Sequence, residues 1–96
     1  MTYQPCVYIV TNKRNGTLYV GVTSNLPKRI WEHKSKIVKG FTSKYGLNKL
    51  VWYEQYETIE LAVKRERDLK FWKRKWKLEI IETMNPDWQD LYEEIV

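Results

Sequence analysis

Residues 7–22 read Val7-Tyr8-Ile9-Val10-Thr11-Asn12-Lys13-Arg14-Asn15-Gly16-Thr17-Leu18-Tyr19-Val20-Gly21-Val22. Val7 to Thr11 is a run of β-branched and aromatic residues, which fit a pleated, packed surface. Asn15-Gly16 is a tight-turn dipeptide, because both residues tolerate positive φ. Thr17 to Val22 then forms the returning strand, so the segment predicts a β-hairpin. If Asn15-Gly16 is a two-residue turn, Arg14 pairs with Thr17 and Val10 faces Gly21. By that parity Tyr8 and Tyr19 share one side of the sheet, and a one-residue slip would separate them. Gly21 would leave a gap on that side, where a ligand approaches the backbone.

Outward from the hairpin, Ser24 or Asn25 is a helix N-cap with Pro27 in the first turn, and the helix runs to about Val38. Gly40 and Gly46 bracket a loop. Leu50 to Glu54 reads as a third strand. Thr58 caps a longer helix through about Lys73, and a further helix covers roughly Lys75 to Thr83, ending before Asn85-Pro86. The tail from Trp88 to Val96 adds a short helical turn. The order is ββαβαα, an α/β chain of the α+β type with a small three-stranded antiparallel sheet flanked by helices. Residues 1–96 fit one domain.

Polar residues in apolar places point to function. Leu26, Ile30 and Ile37 set the inward face of the first helix, and Arg29 and His33 fall on the same face. An unpaired buried charge is costly, so these two line a cleft, or Arg29 reaches solvent at the helix edge and His33 bonds a backbone carbonyl. In the next helix Ile59, Ala62, Val63 and Leu69 form a stripe with Glu66 near its middle. A carboxylate there is either ion-paired against the sheet or open to a cleft, where beside an Arg it can hold Mg²⁺. Two strand tyrosines, for their part, also serve as ordinary packing residues.

Charge is uneven. The chain carries a net +5. Residues 64–77 hold Lys64, Arg65, Arg67, Lys70, Lys73, Arg74, Lys75 and Lys77 against Glu66 and Asp68, whereas residues 79–96 hold acids and no Lys or Arg. The basic block is either a solvated helix face or the footprint of a polyanion. Trp72 and Trp76 interleave it, as packing residues or as stacking platforms.

Several classes are excluded. Cys6 and His33 are each the only residue of their type, so no Cys/His zinc cluster forms. No phosphate-cradling glycine loop and no G-x-S-x-G occurs. No apolar run approaches the ~20 residues that span a bilayer, and the first residues lack the pattern of a secretion signal. A lone cysteine fits a reducing cytoplasm.

At these residues the sequence resembles the GIY-YIG nuclease superfamily. The resemblance is carried by Cys6-Val7-Tyr8, by Tyr19-Val20-Gly21 eleven residues after Tyr8, and by Arg29, His33 and Glu66. Leu18 to Thr23, Arg29 to Lys34, Arg65 to Lys70 and Asn85 to Trp88 look like the small stand-alone bacterial members, relatives of the N-terminal nuclease domain of excinuclease C. Cys6 stands where the name motif has its first Gly, and Val22 where some members have a Lys that helps activate a tyrosine. Asn85 is the counterpart of a late family Asn. The resemblance implies a DNA endonuclease, in repair or processing, that uses one Mg²⁺ or Mn²⁺ and no covalent intermediate. It implies Tyr8 as general base, Tyr19 as its aid, Arg29 on the phosphate, Glu66 on the metal and His33 bonded to Tyr8 or the phosphate. Lys64, Arg65, Arg67, Lys70, Lys73, Arg74 and Lys77 would grip flanking phosphates of DNA. The alternatives are a nucleic-acid-binding module that kept this fold and lost turnover, and an interaction domain using its acidic tail. No membrane partner is expected, and the oligomeric state stays open.

Overall fold

The computed structural model describes residues 4–37 and 40–96. Three strands, β1 (Cys6–Thr11), β2 (Leu18–Thr23) and β3 (Lys49–Gln55), form an antiparallel sheet in the order β2-β1-β3. The helices are α1 (Leu26–Lys34), α2 (Phe41–Lys44), α3 (Ile59–Phe71), α4 (Arg74–Met84) and α5 (Tyr92–Ile95). This is the α+β architecture expected from the sequence, with a short α2 added between Gly40 and Gly46.

The central strand explains the apolar run from Val7 to Thr11. All six residues of β1 are buried, because both faces of the sheet are covered. Val7, Ile9, Val20, Val51 and Trp52 pack on one face with Ala62, Leu69, Ile81 and Trp88. Cys6, Tyr8, Val10 and Leu50 pack on the other with Leu26, Ile30, Leu47 and Leu91. A strand covered on both sides reads as continuously hydrophobic rather than alternating.

The hairpin differs from expectation in its register. Tyr8 faces Gly21 and Val10 faces Tyr19, so residues 12–17 form a six-residue connection, not a two-residue turn. Local hydrogen bonding is the reason. Gly16 N–H donates to the Lys13 carbonyl at 2.9 Å, with Asn15 left-handed at φ 56°. The Asn12 side chain accepts from Thr17 N–H at 3.2 Å, and the Thr11 hydroxyl donates to the Thr17 carbonyl at 2.8 Å. A Cβ on Gly16 would lie 2.0 Å from Asn12 Oδ1 and 2.9 Å from the Lys13 carbonyl oxygen, so a side chain here would displace the Asn12 bond that closes the loop. The slip is even in parity, which keeps Tyr8 and Tyr19 on one side.

Both main helices carry their expected caps. Asn25 Oδ1 accepts from Lys28 N–H, and Thr58 Oγ1 accepts from Leu61 N–H. The first helix ends sooner than its periodicity suggests, at Lys34, where Ser35 caps it and Lys36 turns left-handed at φ 56°. Ile37 is therefore exposed rather than inward-facing, and Ile59 is also largely exposed at the start of α3. The expected end near Val38 lies outside the described residues. Between Ile9 and Val10 the β1–β3 ladder shifts register, which leaves Val51 as an extra, bulged residue. Among the described residues no helix is long and apolar enough to cross a membrane.

Candidate active site

Tyr8 is the centre of the site. Its side chain points from β1 to the α1 face and is fully buried. It lies across Gly21: a Cβ at that position would sit 2.4 Å from both Cζ and Oη of the phenol. The glycine gap expected to admit a ligand is filled by the tyrosine's own ring. Gly21 thus sets where the hydroxyl ends up.

Two α1 side chains, one turn apart, converge on that hydroxyl. His33 Nε2 lies 2.9 Å from Tyr8 Oη, and Arg29 Nε donates to it at 3.3 Å. A phenol oxygen accepts two hydrogen bonds and donates one, so beside the Arg29 bond His33 Nε2 accepts the phenol proton in one imidazole tautomer and donates to the oxygen in the other. Nδ1 of His33 lies 3.2 Å from Thr42 Oγ1, whose hydroxyl accepts in the first tautomer and donates in the second. His33 is buried with two side-chain partners, not bonded to a backbone carbonyl. Arg29 is half-buried and also reaches Glu32 at 3.5 Å.

Burial sets the protonation of this pair. Desolvation pushes the Tyr8 pKa up to about 12, opposed by the hydrogen bond and charge of Arg29 and assisted by the charges of Tyr19 and Glu66. Desolvation also lowers His33 to about 4, with Arg29 contributing. At neutral pH the phenol is therefore intact and the imidazole neutral. Arg29 does not hold Tyr8 as a standing phenolate.

Tyr19 and Glu66 flank the centre. Tyr19 is half-buried on the same side of the sheet, 6.1 Å edge-on from the His33 ring. Glu66 comes from α3, whose Ala62 and Leu69 seal the opposite face. It is not sealed with them: its side chain is 19% exposed and pairs with Lys70 at 3.2 Å. Lys70 Nζ in turn lies 6.0 Å over the Tyr19 ring, so this part of α3 reaches round the β2 edge to the tyrosine side. Glu66 also raises the Tyr8 pKa, the effect of a negative charge within range of the phenol. A hard divalent ion that keeps most of its waters needs one or two carboxylates. Glu66 supplies one, at present paired with the half-exposed Lys70. The donor set fits such an ion, although no group of three or more acidic, His or Cys residues gathers among the described residues.

The basic block divides. Arg65 is held by Glu54 at 3.2 Å and lies 5.0 Å from the Trp72 ring. Arg74 donates to the Asn15 and Gly16 carbonyls at 2.8 and 2.7 Å, which pins the hairpin loop. Lys77 is half-buried with a lowered pKa, from desolvation and then from Arg74. Lys64, Arg67, Lys70 and Lys73 are exposed. Trp72 packs against the α3-side core, with Trp76 edge-on to it at 6.0 Å.

Asn85 is a structural clasp. Its Nδ2 donates to the carbonyls of Val51 and Gln89 at 3.2 and 2.8 Å, and its Oδ1 accepts from Gln89 N–H at 3.0 Å. It thus satisfies the bulged residue of β3 and ties the tail to the sheet. Thr42, the second partner of His33, is the neighbour that sequence reasoning missed. The one signal for it was the need of a buried neutral imidazole for a second partner.

The GIY-YIG catalytic domain matches residues 4–85. The chain belongs to the GIY-YIG family. It is 35% identical over 75 residues to a UPF0213 protein of Staphylococcus saprophyticus, covering 78% of this chain and 90% of that one. It is 39% identical over 75 residues to a UPF0213 protein of Clostridium perfringens, covering 78% and 80%. The solution structure of a UPF0213 protein from Bacillus halodurans superposes with a TM-score of 0.56 at 24% identity, over 91% of this chain and 92% of that chain. The fold is therefore that of small GIY-YIG proteins, a family of nucleases.

Proposed function

We propose that this GIY-YIG domain, spanning residues 1–96, is a metal-dependent DNA endonuclease that hydrolyses a backbone phosphodiester by direct attack of water. The observation that carries the reading is the convergence of His33 Nε2 and Arg29 Nε on one buried hydroxyl, Tyr8 Oη. A phenol with a pKa near 12 is a poor standing base. It becomes useful if it passes its proton on as it receives one. Water oxygen forms the new bond to phosphorus, its proton moves to Tyr8 Oη, and the phenol proton passes to His33 Nε2, which at a pKa of about 4 holds it only through the transfer and returns it by way of Tyr8 to solvent as the product leaves. The bond to the leaving oxygen breaks on the opposite side, and that oxygen is protonated from solvent. The relay uses the His33 tautomer whose Nδ1–H donates to Thr42 Oγ1, 3.2 Å away. Arg29, anchored through Nε and paired through Nη1 with Glu32, presents Nη2 to the phosphate oxygens. Tyr19 orients the water at the cleft mouth. Glu66 is the residue to hold a single Mg²⁺ or Mn²⁺, which would supply positive charge that opposes the burial penalty on Tyr8 and offsets charge on the leaving oxygen. Lys64, Arg67, Lys70 and Lys73 grip flanking phosphates without reading sequence. The resemblance to the excinuclease C domain supports a setting in DNA repair or processing inside the cytoplasm.

Nicking of supercoiled plasmid with Mg²⁺ or Mn²⁺ tests this. Glu66→Ala and Tyr8→Phe are each expected to abolish nicking while DNA binding in EDTA persists. Undiminished nicking by Glu66→Ala removes the metal assignment, and by Tyr8→Phe it moves the base role to Tyr19. A second reading, a module that binds nucleic acid without cutting it, is favoured by the Glu66–Lys70 ion pair and predicts binding with no nicking under any divalent ion.

A further inference from the structure

The catalytic centre continues outward as a strip of aromatic rings. Tyr19 stands edge-on to His33, Phe41 lies near-parallel to Tyr19 at 6.3 Å and 28°, and Tyr45 follows at 4.8 Å from Phe41. Phe41 is 48% exposed and Tyr45 47%. Their exposure is not loose packing. The α2 turn that carries Phe41 is fixed from beneath by Thr42, which bonds His33 Nδ1, and the buried Leu47 closes it by donating its N–H to the Thr42 carbonyl at 2.9 Å. The segment therefore buries a polar residue and presents its two large rings to solvent, the reverse of what core formation alone would select. The neighbours of the rings are cations: Lys44 Nζ lies 5.5 Å from the Tyr45 ring and Lys70 Nζ 6.0 Å from that of Tyr19.

We propose that this strip is a subsite for unpaired DNA, on which the nucleobases next to the scissile phosphate stack. Aromatic rings flanked by lysines match a single strand in both its parts, the ring faces taking bases and the ammonium groups taking phosphates. Bases within a duplex are already stacked and cannot lie on Phe41. The substrate class is therefore single-stranded DNA or a duplex with a splayed end, flap or bulge. The same α2 turn positions His33 through Thr42, so a base seated on Phe41 lies against the element that orders the Tyr8 proton path. This inference rests on the nuclease reading above and adds its substrate.

The test is fluorescence anisotropy in EDTA, with a labelled oligonucleotide of ~20 nucleotides and with the same strand in duplex form. Wild type is expected to bind the single strand more tightly. Phe41→Ala is expected to lower the ratio of single-strand to duplex affinity roughly tenfold, the effect of losing one stacked base. Phe41→Trp, which restores a ring, should recover it. A thermal melt of each variant confirms folding. Equal wild-type affinity for both forms, or a ratio unmoved by Phe41→Ala, overturns the subsite. Duplex binding and nicking with that ratio unmoved would leave the nuclease reading standing. Failure of wild type to bind either form would remove both.

Discussion

Gly21→Ala is the substitution that tests how the site is built. The new Cβ would lie 2.4 Å from Tyr8 Cζ and Oη and 2.8 Å from Cε1, so the buried ring must move. Overpacking of this kind costs about 1–3 kcal/mol, and replacing a strand glycine returns about 0.5–1 kcal/mol. The net loss is up to about 2.5 kcal/mol, centred at about 1 kcal/mol, and in a domain of this size each kcal/mol lowers Tm by roughly 4–8 °C. The hydroxyl is also carried away from His33 and Arg29, and a misplacement of about 1 Å at a reacting group costs about a hundredfold in rate. The decisive measurement is a double-mutant cycle by circular dichroism melting. Tyr8→Leu lacks all three clashing atoms, so in that background Gly21→Ala should become neutral or stabilising, a coupling of about 1–3 kcal/mol. If Gly21→Ala destabilises both backgrounds equally, the ring does not rest on Gly21, and the account of how Tyr8 is placed is wrong.

His33 makes stability depend on acid. An unfolded imidazole titrates near 6.5 and the folded one near 4, so between those values the unfolded chain binds a proton that the native chain refuses. Stability should be lost as pH falls from 6.5 toward 4, by about 3 kcal/mol at most, and urea titrations of His33→Gln should lack that part of the slope. Asn85→Ala leaves the Val51 carbonyl and both Gln89 backbone groups without their side-chain partner; a loss of about 2 kcal/mol, or a Tm drop of roughly 10 °C, is expected by calorimetry. Arg74→Ala should speed amide exchange at the Gly16–Lys13 hydrogen bond and leave the salt dependence of DNA binding unmoved, whereas Lys73→Ala should reduce that log–log slope by roughly 0.9.

Much of the fold was legible because its signals are local. Asn25 and Thr58 cap helices wherever such a residue precedes a periodic run, and the apolar β1 announces a buried strand. The hairpin register was not, because Asn15-Gly16 is a turn signal whose meaning here is set by Asn12, Thr11 and Arg74, the last nearly sixty residues away. The candidate site was legible by contradiction: Arg29, His33 and Glu66 break the apolar stripes of their helices, and a stripe is broken where a partner exists. Thr42 breaks no pattern, since α2 is a single turn with no stripe to interrupt.

The basic block shows why composition points to a partner without pointing to the contact residues. Arg65 and Arg74 carry the same formal charge as Arg67 and Lys73, yet the first two are committed to Glu54 and to loop carbonyls. Guanidinium groups with several donors serve the fold as readily as they serve a phosphate. The residues that sit nearest the proposed chemistry are instead sparse and mostly uncharged: Tyr8 and Gly21 in register, His33 and Thr42 in series, with Arg29 the one cation bonded to the phenol among the described residues. Each is fixed by a neighbour that itself has no other place to go. That mutual constraint, rather than net charge, sets where Tyr8 Oη sits, and it makes a single methyl group at Gly21 a sharper probe of the site than neutralising any lysine of α3.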